Sequence, residues 1–265
     1  MGRSIMKRCF VTLIACFLST AVFAAGPEVI WVGGGMKVSD EAKPRYTAET
    51  LISLGQSNSM YLFTEPMILV KNGKLGLDLG VGARLPIMSG EAIVGYNMFF
   101  DYTRDNNHKR VGAGLEFFHS NFSGHLNLYL PISDDHNWEE ALPGVDLTLG
   151  IPIPNASFIS IWPSLYYYDG RDRKDMKGIG LEVRIQPVQA AALIIGGRND
   201  THTAGREDSE IYAKLEVTIP MRRLGKDLFA FNKGQYPIDI NTYMGHRVVR
   251  ESSIAYENKR WWWWP

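Results

Sequence analysis

Residues 75–85 read LGLDLGVGARL. Leu75, Leu77, Leu79, Val81, Ala83 and Leu85 alternate with Gly76, Asp78, Gly80, Gly82 and Arg84. In an extended chain this makes one face aliphatic and the other glycine and charge. Sustained period two is a strand signature. A soluble β-sandwich would bury the first face in a core; a membrane barrel would turn it to lipid and keep the second in a wet lumen. The remainder of the chain decides between these solvents.

The pattern recurs. Val94, Tyr96, Met98, Phe100 and Tyr102 oppose Gly95, Asn97, Phe99 and Asp101, and Val111, Ala113, Leu115 and Phe117 oppose Gly112, Gly114 and Glu116. Leu126, Leu128, Leu130 and Ile132 interleave with His125, Asn127 and Tyr129, and Val145, Leu147, Leu149 and Ile151 with Asp146, Thr148 and Gly150. Ile179, Leu181, Val183 and Ile185 oppose Gly180, Glu182 and Arg184; Ile211, Ala213, Leu215, Val217 and Ile219 oppose Tyr212, Lys214, Glu216 and Thr218. Less regular segments at 28–38, 47–56, 60–70, 158–170 and 191–200 bring the count to twelve, half of them 10 to 13 residues long as quoted. Ordinary globular strands run ~5–6 residues, whereas a tilted bilayer-spanning strand needs ~9–11. Length favours the membrane.

Connections give an independent test. MSG 88–90, SNF 121–123, PNAS 154–157 and PVQ 187–189 are tight, while 104–109, 134–141, 170–176 and 200–208 are longer and polar. Long alternating with short is the habit of outer-membrane barrels, with surface loops and periplasmic turns. The same parity puts DEAKPR 40–45 outside and both barrel ends in the periplasm, which an even strand count satisfies. Closure pairs every backbone group in hydrocarbon. The sequence therefore predicts an all-β, twelve-stranded antiparallel transmembrane β-barrel in a cell outer membrane of the Gram-negative type, facing outer-membrane lipid.

Composition agrees with that reading without proving it. Of 265 residues, 45% are hydrophobic and 21% charged, with 28 basic against 28 acidic; a barrel hides its apolar half in alternation. Zero net charge gives no reason to expect nucleic acid as a partner. The start reads as a cleaved signal peptide over 1–24: basic MGRSIMKR, apolar CFVTLIACFLSTAVF, then small residues around Val22-Phe23-Ala24. Leu13-Ile14-Ala15-Cys16 is also shaped like a lipoprotein box, although the apolar run continues past it. Cleavage would remove Cys9 and Cys16, the only two cysteines, so neither disulfides nor thiolate metal sites are expected. Beyond the leader no apolar run is long enough for a spanning helix.

Residues 222–260 break the period, and 261–264 are four consecutive tryptophans. Counting strands leaves the tail two routes, the periplasm or back through the lumen. The domain organisation expected is thus 1–24 leader, 25–221 barrel, 222–260 pore helix and extended linker, and 261–265 tail.

Several phrases then resemble a known family: LFTEPM 62–67, LDLGVGARLP 77–86, VGYNMFFDYTRDNNHKRVGAGLEFF 94–118, LNLYLPIS 126–133 and HRVVRESSIAYENKR 246–260. They resemble the inverse autotransporter β-domain of intimins and invasins. That resemblance implies a barrel plugged by its own tail, which forms a short helix and then a linker leading outward to an adhesive passenger. It also implies insertion by the cell's barrel-assembly machinery. Here Glu251-Ser252-Ser253 stands where the family usually carries asparagines, and the chain reaches Pro265 without immunoglobulin-like domains, so the expectation is a truncated or passenger-less translocator.

Lumen-facing charge supplies the candidate site. On the alternation, Asp78, Arg84, Asp101, Glu116 and Asp146 point inward with Asn97, as do Glu182, Arg184, Lys214 and Glu216. Buried charge needs partners, either across strands or in a wall that clamps Arg247, Arg250, Glu251 and Glu257 of the linker. Tyr102, Tyr166, Tyr167, Tyr168, Phe117 and Phe118 close strands and are expected in interfacial belts. No cofactor, metal or catalytic set is expected. His119 and Ser120 are adjacent on a strand and face opposite sides, and Asp105 with His108 lies in a solvated loop. Two non-enzyme alternatives stay open: a porin-like channel, and an adhesin that binds a host-cell surface through its loops.

Overall fold

The structure, a computed structural model, describes residues 26–57, 59–104, 107–133, 139–170, 175–200, 209–221, 228–232 and 237–258. The leader, Asp105, the middle of the three longest loops and Trp261 to Trp264 lie outside the described residues.

Twelve long strands close into one antiparallel barrel. They are β1 (Glu28–Ser39), β2 (Arg45–Ser57), β3 (Met60–Lys71), β4 (Lys74–Ile87), β5 (Ala92–Thr103), β6 (His108–His119) and β7 (Phe122–Pro131), followed by β9 (Gly144–Ile153), β10 (Ala156–Tyr168), β11 (Met176–Val188), β12 (Ala191–Asp200) and β13 (Ser209–Pro220). Two three-residue strands, β8 (Glu139–Ala141) and β14 (Tyr256–Asn258), pair with each other outside the barrel sheet. Every barrel strand pairs with its sequence neighbours, and β1 closes the ring on β13 from Trp31↔Pro220 to Ser39↔Tyr212. Gly33 and Gly34 of β1 leave no room for more on either side: a Cβ on Gly33 would lie 2.6 Å from the Val217 carbonyl of β13, and one on Gly34 2.5 Å from the Thr47 carbonyl of β2.

The opening stretch forms β4, and its faces separate as the alternation requires. Leu75, Leu77 and Leu79 are exposed at 41%, 43% and 52%, whereas Asp78 and Arg84 are buried. Across the barrel the exposed large side chains are the aliphatic ones, among them Leu115, Leu128, Leu165, Leu181 and Leu215. A chain that exposes its leucines and buries its arginines has lipid outside. No helix among the described residues is long and apolar enough to cross a membrane, so the crossing is made by strands.

Connections alternate between a short-turn end and a long-loop end, with one departure. β3 and β4 meet at the long-loop end through only Asn72 and Gly73, whose φ angles are 53° and 71°. A two-residue hairpin of this kind needs φ > 0 at both positions, and Asn-Gly supplies it.

The inner face carries rings that the belt expectation assigned elsewhere. Phe118, Tyr166 and Tyr168 do not face the membrane. Phe118 is buried against Tyr243, Tyr168 packs with Phe99 and Tyr129, and the Tyr166 hydroxyl bonds Asp200. Tyr167 is the outward member of its run. The reason is strict alternation: of consecutive aromatics on one strand, every second one must enter the lumen. Inside, five rings lie over a glycine directly across the ladder. Phe63 pairs with Gly82, Phe99 with Gly112, Tyr166 with Gly178, Tyr168 with Gly144, and Tyr212 with Gly196. Glycine leaves the space the ring fills, and the ring covers backbone that glycine would expose.

Candidate functional site: the lumen and its linker

The tail returns to the barrel at its short-turn end. Phe231 bridges to Val188, the Asn232 amide donates to the Pro187 carbonyl at 2.7 Å, and the Ile238 amide donates to Ser120 at 3.2 Å. A 3-10 helix, Ile240–Gly245, follows, its start capped by the Asp239 carboxylate accepting from the Asn241 amide at 3.0 Å. Here the expected pore helix is a short, tight one. Its Tyr243 stacks on Phe118 at 4.9 Å between centroids, with Ile238, Ile240 and Met244 packed around it.

From Gly245 the chain runs extended to the long-loop end, touching a succession of apolar clusters. Tyr243 packs with Ile93 and Phe118, Val248 with Trp31, Leu51 and Phe63, and Ala255 with Phe99, Tyr129, Leu142 and Tyr168. The wall residues in that order lie progressively further toward the loops. At the exit Leu142 donates its amide to the Ala255 carbonyl at 2.9 Å, and β14 adds to β8 through Tyr256↔Ala141, Glu257↔Glu140 and Asn258↔Glu139. His108 closes this clasp: its ring stacks on Tyr256 at 5.7 Å and its Nε2 lies 3.3 Å from Glu139. Glu257, which the sequence reading expected the lumen wall to clamp, is buried in this clasp opposite Glu140.

Two wall arginines are fully buried. Arg84 is held by Glu116 through two bonds, 2.9 Å and 3.0 Å, and its Nη1 donates to the Met244 and His246 carbonyls at 2.9 Å and 2.7 Å. Arg110 bonds Asp101 at 2.8 Å and donates to the carbonyls of Ser253 at 3.1 Å and Glu251 at 2.6 Å. Linker charges reach other wall groups. Arg247 lies 2.8 Å from Glu49 and 2.5 Å from Glu216; Arg250 lies 3.2 Å from Asp78 and 2.9 Å from Asp101. Glu251 lies 3.3 Å from Arg45 and 3.8 Å from Arg198.

The rest of the nominated set divides by wall. Asp146 accepts from Asn127 at 2.7 Å and from the Tyr129 hydroxyl at 2.5 Å, beside the linker. Asn97 is buried across from Gly114. Glu182 instead takes Lys214 at 2.5 Å and Tyr212 at 2.7 Å, and Arg184 takes Glu216 at 2.7 Å. On that side, with Lys37 and Arg198 both on Glu210 at 2.9 Å and 2.7 Å, much of the charge is met within the wall, and the lumen keeps a cavity of about 210 Å³. Sequence reasoning missed Glu49, Glu65, Arg45, Arg110, Tyr129 and Arg198. Their signal was inward phase: Tyr129 within a regular run, Arg110 one residue short of one, and the others on less regular strands.

His119 and Ser120 share no hydrogen bond among those described. His119 Nδ1 accepts from the Asn121 amide at 3.3 Å, and its ring stands against Phe122.

A family model described as "Inverse autotransporter, beta-domain" matches residues 35–229, well over half the chain. The chain belongs to the inverse autotransporter β-domain family. This is a family of outer-membrane barrels and not of enzymes, and it sets the barrel in the outer membrane. Among solved structures, one published under "Unveiling the Mechanism Behind the in-meso Crystallization of Membrane Proteins" is 17% identical, covers 87% of this chain and all of that one, with a TM-score of 0.74. At that identity the likeness is of fold. The KdgM porin bound to disordered oligogalacturonate is 11% identical over 72% of this chain and 99% of that one, and an outer-membrane channel from Pseudomonas putida F1 is 10% identical over 76% and 98%. Both have a TM-score of 0.49, and neither bears on this inverse autotransporter's lumen. No curated protein matches the chain.

Proposed function

We propose that the barrel is the anchor and export pore of a polypeptide joined to its C-terminal end, and that residues 237–258 remain in the bore afterwards as linker and plug. One observation carries the reading. The tail enters at the short-turn end, crosses the whole lumen extended, and is clasped at the long-loop end, so a chain following it leaves on the side opposite its entry. With the signal peptide directing the protein to the periplasm, that side is the cell surface. Insertion calls on the barrel-assembly machinery, and adhesion to a host cell belongs to whatever chain is exported.

The test is a fusion. An epitope-tagged immunoglobulin-like domain is placed after Pro265, and intact cells are treated with protease and tag antibody. The tag is expected to be antibody-accessible and protease-removable while the barrel stays folded. A tag retained in the periplasm behind a folded barrel overturns the proposal.

A further inference from the structure

Besides the apolar clusters and the Arg45 bonds to the Ser252 and Ser253 hydroxyls at 3.3 Å and 2.6 Å, the lumen touches the linker through two sets of contacts that differ in chemistry. The first set reads only main chain. Six carbonyls are bonded by wall donors: at the end of the 3-10 helix Met244 by Arg84 and Gly245 by Trp31 Nε1, and in the linker beyond it His246 by Arg84, Val249 by Asn127, and Glu251 and Ser253 by Arg110. Two linker amides are taken by wall acceptors, Val248 by Glu65 at 3.1 Å and Glu251 by the Tyr129 hydroxyl at 2.9 Å. The second set reads only charge: Arg247, Arg250 and Glu251 against Glu49 and Glu216, Asp78 and Asp101, and Arg45 and Arg198.

We propose that the main-chain contacts form a rail that binds extended polypeptide of any sequence, and that Arg247, Arg250 and Glu251 are a latch that fixes one register on it. Carbonyl geometry is the same for every residue, and amide geometry for every residue but proline. Donors on the rail are preorganised before the chain arrives, because Glu116, Asp101 and Asp146 already hold Arg84, Arg110 and Asn127 on their other sides. A planar guanidinium keeps its remaining N–H groups aimed when one edge is occupied. An extended chain that slips by two residues restores the same face and the same main-chain pattern. The rail therefore holds without choosing.

The latch removes that degeneracy. Residues 247 and 251 share one strand face and 250 lies on the other, which matches acceptors on β2 and β13 and donors on β2 and β12 on one side, and acids on β4 and β5 on the other. In any slipped register these buried charges would face mismatched partners, which low-dielectric surroundings penalise heavily. On the opposite wall Glu182, Lys214 and Glu210 are paired internally, and that wall meets the linker's charges through Glu216 and Arg198. Use of the rail on a chain in transit rests on the export reading; the latch on the seated linker does not.

The experiment needs no passenger, so its failure is distinct from a failure of export. In a Cys9→Ser/Cys16→Ser background, nitroxides are placed at Ile254→Cys in the linker and Lys74→Cys on β4, and the distance is measured by pulsed electron resonance in phosphatidylethanolamine–phosphatidylglycerol vesicles. The parent is expected to give one narrow distance. Arg247→Ala/Arg250→Ala/Glu251→Ala is expected to give several, spread by steps of about 7 Å along the bore, while Val249→Ala and Arg247→Lys/Arg250→Lys keep one. A single narrow distance in the triple variant overturns the latch. A fully released linker overturns the rail. Should the triple variant not insert, Glu251→Gln is read by the same criteria.

Discussion

Arg84 shows what a single residue does in this wall. Its guanidinium is sandwiched by Phe63 at 4.5 Å and Phe118 at 5.3 Å, bidentate to Glu116, and bonded to two linker carbonyls. Removing one member of a buried pair strands the other, at a cost of roughly 3–5 kcal/mol. Arg84→Ala is therefore expected to lower the urea midpoint of the folded, heat-modifiable form markedly. Arg84→Lys should recover only part, because an ammonium cannot make the fork and reach both carbonyls; equal midpoints for Lys and Arg would refute the bidentate role. That Arg84 points inward was legible from its place in LGLDLGVGARL. That Glu116, on the neighbour of the neighbouring strand, is its partner was not, because pairing depends on barrel register rather than on sequence distance.

At the scale of elements, strand phase was readable and the small strands were not. β4, β5 and β6 follow the alternation closely, since each has one face in lipid and any slip by one residue would invert it. β8 and β14 have only three residues each and no period to read. They exist because residues 139–143 fold inward on Leu142 and offer a sheet edge to the emerging linker. Leu142→Asp is expected to open this clasp, since a carboxylate in the Phe99–Tyr129–Tyr168 cluster would be desolvated without a partner. Protease added outside intact cells should then cut the linker near 254–258 faster than in the parent, with barrel yield unchanged. Equal cutting would mean the clasp contributes nothing to retention.

The whole molecule is a closed ring whose bore is divided into a wall that grips and a wall whose charge is met largely within itself. With the linker seated, the bore keeps cavities of about 210 Å³ near Trp162, Tyr166, Glu182 and Arg198 and about 120 Å³ near Glu49, Glu65 and Arg247. Purified protein in a planar bilayer is accordingly expected to pass only small, brief currents. Large, steady conductance would show the plug does not sit as described and would favour a porin-like channel.

The sequence alone determined the strand count, the solvent on each face, and the class of barrel, because period two is a local property that lipid on one side and water on the other enforce at every residue. The belt aromatics show the limit of that rule: alternation sends Phe118, Tyr166 and Tyr168 inward, but what they cover lies on the adjacent strand. Which wall charges meet Arg247, Arg250 and Glu251, and that the linker is held mostly by its backbone, was decided only by tertiary structure. Ring closure brings β2, β4, β5, β12 and β13 around one extended segment, and no spacing along the chain encodes that convergence.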